Sequence, residues 1–352
     1  MGDQKRQSFD ILAFSDFLKE MDKKIGMKMS ARGWAYALED TDIPQIGTIT
    51  KGDFDYIENL INKCRKEGYL PVDFVAQEEA RAFSGVETPT TKHPVLYLKT
   101  FLNATLNSAE YYTPDWWDGE EYYIQMVVEK IDLKSLFEPI CRKFHIPIAT
   151  AKGWSSIIQR AEYAKRFKKA EEMRLKCVLL YCGDHDPDGL RISHHLRNNL
   201  AELSEVYWND GTEGYNPENL IIDRFGLNYD FIINNKLTWI ENLITGSKRN
   251  LASPSHKNYN MPYVQDYLRD VGERKCEANA LVKRKVEGRR LCEDSIVKYL
   301  GKDAEDRFEV KRQEIRDIIN DFFAKTKVDK TLQNALDKID GEFKEEEDDE
   351  ND

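Results

Sequence analysis

Residues 177–189, CVLLYCGDHDPDG, decide the fold, because here a continuous apolar run leads into three aspartates and a glycine. A short apolar run bounded by glycine predicts a strand that is buried on both faces. A second run, YYIQMVV at residues 122–128, ends directly in Glu129. Helical patterns lie at 133–144, 155–174 and 190–203, and shorter extended patterns at 146–150, 205–208 and 219–225. Strands that alternate with helices predict an α/β fold, in which helices flank a parallel sheet.

The first 83 residues are predicted to form a separate domain of short helices followed by a strand. The predicted elements are a helix over 9–21, a helix from the cap Ser30 to Leu38, a helix over 51–67 capped by Thr50 and ended by Gly68, and an extended run over 70–76. Three helices and a strand in this order are typical of a winged helix, a fold that commonly binds duplex nucleic acid. A helical cap on the next domain is the alternative.

The remaining boundaries follow from shifts in composition. Residues 84–121 are rich in Thr, Pro, Asn, Tyr and Trp and are predicted to be a connector. Residues 122–226 carry the α/β pattern, and residues 227–340 are predicted to be mostly helical. Residues 341–352 hold eight acidic residues and one lysine, which predicts a solvated, disordered tail.

Composition limits the classes of protein that the chain can belong to. The chain has 352 residues, of which 41% are apolar, and this is enough for two domains with hydrophobic cores. No apolar run is long enough to span a membrane, and the six cysteines match no C-x-x-C zinc or redox spacing. We therefore expect an intracellular protein with reduced thiols and no membrane partner. The net charge of −11 falls to −4 without the tail, which does not exclude a nucleic-acid partner.

Acidic residues follow both long predicted strands. Glu129 follows the first strand, and Asp184, Asp186 and Asp188 follow the second. Because the carboxyl ends of parallel strands meet at one edge of a sheet, these carboxylates are expected to converge, which favours a hard divalent cation such as Mg²⁺. A calcium-binding loop fits poorly, since its twelfth position would be His195. A haloacid dehalogenase-type phosphatase also fits poorly, since its D-x-D motif ends the first strand of the sheet. Asp188 has a simpler alternative role as a helix cap.

Three motifs in this region resemble a known family. The motifs are VVEK at 127–130, KGWS at 152–155 and DHDPDG at 184–189. They are similar to the TOPRIM domain found in the DNA-cleaving subunit of topoisomerase VI and in the meiotic double-strand-break transesterase, with Ser155 and Asp188 departing from the family pattern. The resemblance implies a TOPRIM-type sheet preceded by a winged-helix-like domain. It also implies that Glu129, Asp184 and Asp186, with Asp188 beside them, hold Mg²⁺, for which Mn²⁺ can substitute.

The same resemblance extends to the first domain and implies a reaction. The family carries its nucleophilic tyrosine within R-x-x-Y-Y, and this chain has Arg32-Gly-Trp-Ala-Tyr36 in a comparable place. The implied reaction is tyrosine transesterification that cuts double-stranded DNA. Tyr36 would be the nucleophile, Arg32 would stabilise the phenolate or phosphate, and Glu129 would be a metal ligand or general acid. Lys130 and Lys152 would bind the DNA backbone.

Relatives imply a homodimer, because in them the tyrosine of one subunit faces the metal site of the other. The chain has no Gly-rich loop for ATP phosphates, so any ATP-driven step requires a separate ATPase subunit. Seven basic residues between Arg274 and Arg290 form either a DNA-binding face or a solvated helix face. Two other functions stay open: a nuclease in which metal-activated water cuts the DNA and Tyr36 is structural, and a non-catalytic DNA-binding or scaffold component.

Overall fold

The computed structural model describes residues 10–71, 74–76, 90, 93–151, 157–204, 214–244 and 249–349. The strands are β1 (Asp42–Ile43), β2 (Gly47–Thr48), β3 (Tyr122–Val128), β4 (Ile148–Thr150), β5 (Lys176–Cys182) and β6 (Ile221–Gly226). The helices are α1 (Ile11–Ile25), α2 (Ala31–Leu38), α3 (Phe54–Lys66), α4 (Pro94–Leu106), α5 (Ser108–Tyr111), α6 (Ile131–Lys143), α7 (Ile157–Glu172), α8 (Ile192–Ala201), α9 (Tyr229–Asn234), α10 (Pro262–Asp270), α11 (Lys285–Leu300), α12 (Ala304–Thr326) and α13 (Val328–Asp349).

A parallel sheet of four strands, in the order β4-β3-β5-β6, forms the centre of the α/β part. Strands β3 and β5 pair along their whole length, from Tyr122 opposite Lys176 to Val128 opposite Cys182. Both inner strands are buried almost throughout, because their apolar side chains face helices on each side of the sheet. The predicted α/β class is therefore confirmed. The predicted strand at 205–208 lies outside the described residues.

The caps predicted at Ser30 and Thr50 are present, whereas α1 begins at Ile11 and α3 at Phe54, each a few residues after the predicted start. The hydroxyl of Ser30 accepts a hydrogen bond from the Gly33 amide at 2.9 Å and so caps α2, as predicted. Thr50 and Asp53 form a reciprocal capping box in front of α3. The β-structure differs from the prediction, because β1 and β2 form a short antiparallel pair between α2 and α3. The described residues of the predicted extended run 70–76 form turns and bends.

The chain divides into two compact units whose boundaries differ from the predicted domains. The first unit contains residues 1–81 and 120–301, and the second contains residues 82–119 and 302–352. The N-terminal helices and the sheet thus belong to one unit, because Val282, which precedes α11, packs into the core formed by α1, α2 and α3. The described part of the predicted connector 84–121 contains α4 and α5, which belong to the second unit together with the helices α12 and α13.

The second unit is held together by contacts between residues that are far apart in sequence. The ring of Trp116 lies 4.7 Å from that of Phe308, and Arg316 of α12 forms ion pairs with Glu110 and Glu309. Lys99 of α4 pairs with Asp340 of α13. Helix α13 continues to Asp349, so residues 341–349 are helical where the composition predicts a disordered tail. Helix-favouring Glu and Lys residues in this segment explain the extension.

The six cysteines are all buried, and none of them forms a disulfide, as predicted. They lie in apolar surroundings, which raise the pKa of Cys177 and Cys182 above that of an ordinary thiol. In the part of the chain that the structure describes, each helix is too short or too polar to traverse a lipid bilayer.

Candidate functional site

The predicted acidic residues do emerge at one edge of the sheet. The amide of Glu129 donates to the carbonyl of Cys182 at 3.0 Å. The chain segments that follow β3 and β5 therefore start side by side. Gly183 separates Cys182 from Asp184. A Cβ atom at Gly183 would lie 2.6 Å from Oε2 of Glu129, so only glycine leaves room for this carboxylate.

Glu129 is a buried carboxylate at this edge, and its pKa is strongly raised. Its Oε2 accepts a hydrogen bond from the Asp184 amide at 2.7 Å and a longer one from the Tyr181 hydroxyl at 3.4 Å. Burial, followed by the negative charge of Asp184, raises the pKa of Glu129 to about 7, although Lys130 opposes the shift. Glu129 therefore exchanges a proton near neutral pH.

Asp184 is held by its neighbours on both carboxylate oxygens. Lys130 Nζ lies 2.9 Å from Oδ2, and the Ala278 amide donates to Oδ1 at 2.7 Å. The backbone of Cys276 pairs with that of His185 in an antiparallel bridge. This bridge brings residues 276–278 against residues 184–189, which we call the acidic loop. Asp184 is only 8% exposed, so little of its surface is open to solvent.

Asp186 and Asp188 have different environments. Asp186 is buried, and its Oδ1 accepts from the Gly189 amide at 2.6 Å, which caps the turn that follows. Burial raises the pKa of Asp186. Asp188 lies beside Tyr263, and its Oδ1 accepts from the Tyr263 hydroxyl at 3.3 Å. The cap that the sequence suggested for Asp188 is thus formed by Asp186 instead.

Arg224 of β6, which sequence reasoning missed, fixes the acidic loop from beneath. Its guanidinium donates to the carbonyls of Asp184 at 2.8 Å and of Gly189 at 3.1 Å. A buried arginine that donates to several carbonyls determines the path of a loop more strongly than a surface pair does. An arginine inside the strand pattern IIDRFG was the available signal.

Glu277 is a fifth carboxylate of the site, and sequence reasoning missed it. Its Oε2 accepts from the hydroxyl of Tyr36 and lies 3.5 Å from Lys130 Nζ, while Oε1 lies 3.3 Å from Lys275 Nζ. Burial opposes ionisation, but the charge of Lys130 and the bonds from Tyr36 and Lys275 outweigh it and lower the pKa of Glu277 to about 2. In the sequence, Glu277 is one acidic residue within the basic stretch 274–290, and nothing in that pattern indicates a site.

Tyr36 lies next to this network within the same chain. It is 2% exposed and packs edge-on against Phe54, with ring centroids 4.8 Å apart. Burial and the negative charge of Glu277 raise the pKa of Tyr36. Tyr36 is therefore joined through Glu277 and Lys130 to Asp184, where the resemblance implied a meeting of two subunits.

Arg32 lies one helical turn before Tyr36 on the same face of α2, and both side chains contact the Phe54 ring. Its guanidinium forms ion pairs with Asp55 at 2.8 Å and Glu58 at 2.6 Å. Arg32 also lines a cleft of 460 Å³ beside the sheet edge. Other residues that line the cleft are Glu129, Lys130, Asp132, Thr150, Ala151 and Asn279. The cleft brings together three predicted site residues, Arg32, Glu129 and Lys130. Lys152 lies outside the described residues, with the rest of its motif.

The basic stretch 274–290 serves mainly to tie parts of the unit together. Lys283 pairs with Glu39 at 3.0 Å and with Asp40 at 3.2 Å, and Lys285 donates to backbone carbonyls at the end of α1. Arg289 donates to the carbonyl of Leu136 in α6. These contacts fix the N-terminal helices to the sheet and leave fewer cations for a DNA-binding face.

The donor set fits a hard divalent cation in its chemistry. Carboxylate oxygens are the ligands that Mg²⁺ prefers, and among the described residues Oε1 of Glu129 and Oδ2 of Asp186 receive no hydrogen bond. Repulsion from Asp184 contributes to the raised pKa of both residues, and a cation would relieve it. The described part of the chain contains no group of three or more His, Cys, Asp or Glu side chains already arranged to hold a metal ion.

Comparison with protein-family models, with curated proteins and with solved structures finds no match to this chain. Chemically, the sheet edge combines a glutamate that exchanges a proton near pH 7, two buried aspartates and a lysine between carboxylates. Such a set suits transfer of a charged group, because it can hold a cation and move a proton.

Proposed function

We propose that this chain is a divalent-metal-dependent enzyme that hydrolyses phosphodiester bonds of DNA at a TOPRIM-type site. The observation that carries the proposal is the contact of the Glu129 carboxylate with the backbone of Asp184 at the tips of two adjacent parallel strands. The edge formed by carboxyl ends of parallel strands is the usual place for a ligand in an α/β sheet.

Each side chain has a role that follows from its surroundings. Asp184 and Asp186 would hold Mg²⁺ or Mn²⁺, with Glu129 as a third ligand or as a general acid. The raised pKa of Glu129 favours the second role, in which it returns a proton to the leaving 3′ oxygen. A bound cation supplies positive charge to the phosphate and lowers the pKa of water. Lys130 adds a second positive charge beside Asp184.

Hydrolysis is favoured over tyrosine transesterification by the burial of Tyr36. A nucleophilic phenol must reach phosphorus and lose its proton, but the Tyr36 hydroxyl is enclosed and donates to Glu277. Its raised pKa further disfavours the phenolate. In this proposal Tyr36 is a structural residue that holds Glu277 in place.

Tyrosine transesterification is the second candidate, and one observation favours it. The Tyr36 hydroxyl is connected to Asp184 through Glu277 and Lys130, so the phenol lies close to the carboxylates of the site within one chain. The predicted homodimer and the separate ATPase subunit would be partners of the protein only if this second candidate function is correct.

Cleavage of supercoiled plasmid tests the proposal. The protein is incubated with Mg²⁺, Mn²⁺ or EDTA, and the reaction is stopped with detergent. We expect nicking or linearisation only with the cation. We also expect losses of about 10²-fold or more in Glu129→Gln, which removes the proposed proton-transfer group, and in Asp186→Ala, which removes a proposed metal ligand. Asp266→Asn, an exposed aspartate of α10, is the matched control and should retain activity.

The tyrosine variant separates the candidates. Under hydrolysis, Tyr36→Phe keeps the ring and retains cleavage, and no protein remains attached to the DNA ends. Loss of cleavage in Tyr36→Phe, with wild-type protein trapped on the ends, would establish the second candidate. DNA binding without cleavage in any cation, unchanged in the two carboxylate variants, would instead identify a scaffold component.

A further inference from the structure

Three features lie one after another in space along the carboxyl edge of the sheet. At the β4 and β3 end is the 460 Å³ cleft, lined by Thr150, Ala151 and Glu129. The carboxylates of Glu129 and Asp184 follow, at the tips of β3 and β5. Beyond β5, the acidic loop leads to Asp188, which contacts Tyr263. Neighbouring strands are about 4.8 Å apart, so the distance from the β4 tip to the β5 tip is about 10 Å.

The size of the cleft limits what can enter it. Its volume is in the range of pockets that hold a small molecule, which is roughly 300–1,000 Å³. One nucleotide therefore fits, whereas a duplex does not. Because Asp184 and Asp186 are each 8% exposed, an intact duplex lying on the surface would not bring its phosphates to them.

The Arg191 and Tyr263 side chains form a stacked pair beside the loop that follows β5. The guanidinium carbon of Arg191 lies 4.3 Å from the centroid of the Tyr263 ring, and Arg191 is exposed. The Tyr263 hydroxyl donates to Asp188, which fixes the orientation of the ring. Guanidinium planes and aromatic rings are the groups on which unpaired bases stack in nucleic-acid-binding proteins.

We propose that this edge binds an unpaired nucleic-acid strand, with one nucleotide in the cleft and a base stacked on the Arg191–Tyr263 pair. The phosphate between them lies over Glu129, Asp184 and Asp186, and in this respect the inference rests on the proposed function. The substrate class is therefore a single strand, or a strand that is unpaired where it crosses the site.

Binding in the absence of metal tests this inference separately from catalysis. Fluorescence anisotropy is measured in EDTA with a labelled oligo(dT) and with a labelled hairpin duplex of equal charge. We expect tighter binding of oligo(dT). We also expect Arg191→Ala and Tyr263→Ala to weaken it between about fivefold and a hundredfold, the usual effect of losing a stacking group. Ala151→Trp, which fills the cleft, should weaken it too, with circular dichroism to verify folding.

Two matched variants distinguish stacking from charge alone. Tyr263→Phe keeps the ring and should bind within about twofold of wild type, since the stack is retained. Arg269→Ala removes an exposed arginine of α10 and should also have little effect. Equal affinity for the duplex, or equal losses in Arg269→Ala and Arg191→Ala, would overturn the inference. Single-strand binding without metal-dependent cleavage would contradict only the proposed function.

Discussion

At the scale of the residue, Glu129 shows how position alters a common side chain. It follows an apolar strand, its carboxylate is enclosed by Gly183 and Tyr181, and the negative charge of Asp184 lies beside it. Taking a carboxylate out of water favours its protonated form, and a nearby like charge favours it further. The same features make Glu129 a proton carrier in the proposed reaction and a source of pH-dependent stability.

Glu129 is expected to make the metal-free protein less stable as pH rises toward neutrality. Its pKa is about 7 in the folded protein and 4.5 in the reference state, so folding favours the protonated form. This contribution is complete below about pH 4.5 and is lost as pH rises through about 7. Urea unfolding in EDTA should show the free energy of unfolding of wild type falling relative to that of Glu129→Gln as pH rises across this window. A constant difference would contradict the prediction.

At the scale of the element, α2 is attached to the sheet through its first turn. The buried carboxylate of Asp132, at the start of α6, accepts from the amide of Ser30 at 2.6 Å, from its hydroxyl at 2.8 Å and from the Asn279 side chain at 3.1 Å. One carboxylate thus fixes the cap of α2, the start of α6 and the segment before α11. Because Tyr36 and Arg32 lie on α2, Asp132 also determines where they sit relative to the site.

We expect Asp132→Ala to lower the free energy of unfolding by at least about 2 kcal/mol, because it leaves buried donors without an acceptor. Asp132→Asn keeps one acceptor oxygen and should cost less. The comparison is made by urea unfolding, with Asp266→Ala as an exposed control that should change stability by less than about 0.5 kcal/mol. Equal effects of Asp132→Ala and the control would show that the cap is not fixed through Asp132.

Gly33 provides a second test of the same contact. A Cβ atom at Gly33 would lie 2.5 Å from Oδ1 of Asp132, so Gly33→Ala should destabilise the protein by about 1–3 kcal/mol through overpacking. In the Asp132→Ala background the obstruction is absent, and alanine should then cost less or stabilise the helix. A double-mutant cycle of urea unfolding measures the coupling. Additive effects would be inconsistent with the contact.

At the scale of the whole molecule, the chain folds into two units that are each built from distant segments. The second unit combines residues 82–119 with residues 302–352, and the first combines the N-terminal helices with the sheet. Ion pairs and hydrogen bonds hold the N-terminal helices against the segment before α11 and against α11 itself. The ion pair between Lys283 and Glu39 is one example. The candidate site therefore draws on three separate parts of the sequence within one unit.

Phe308→Ala should loosen the second unit selectively, because the contact of Phe308 with Trp116 lies within that unit. Replacing a buried Phe by Ala typically costs about 3–5 kcal/mol. Hydrogen exchange followed by mass spectrometry should show lost protection in α4, α5, α12 and α13, while β3 and β5 keep theirs. An equal loss of protection in β3 would contradict a separate second unit.

The sequence predicted the parts of this protein that depend on local pattern. The bounds of β3 and β5, the caps at Ser30 and Thr50, and the exit of Glu129 and Asp184 at one sheet edge all followed from apolar runs, capping residues and the direction of parallel strands. These features are predictable because side-chain periodicity and capping act over a few residues.

Only the tertiary structure decided which distant groups complete the site. Glu277 meets Tyr36 across 241 positions of sequence, Asp132 meets Ser30 across 102, and Lys130 pairs with Asp184 across 54. The grouping of residues 82–119 with residues 302–352 was equally absent from the local pattern. Such contacts are determined by the packing of whole elements, which places a carboxylate beside a phenol or a lysine without leaving any periodic signal in the chain.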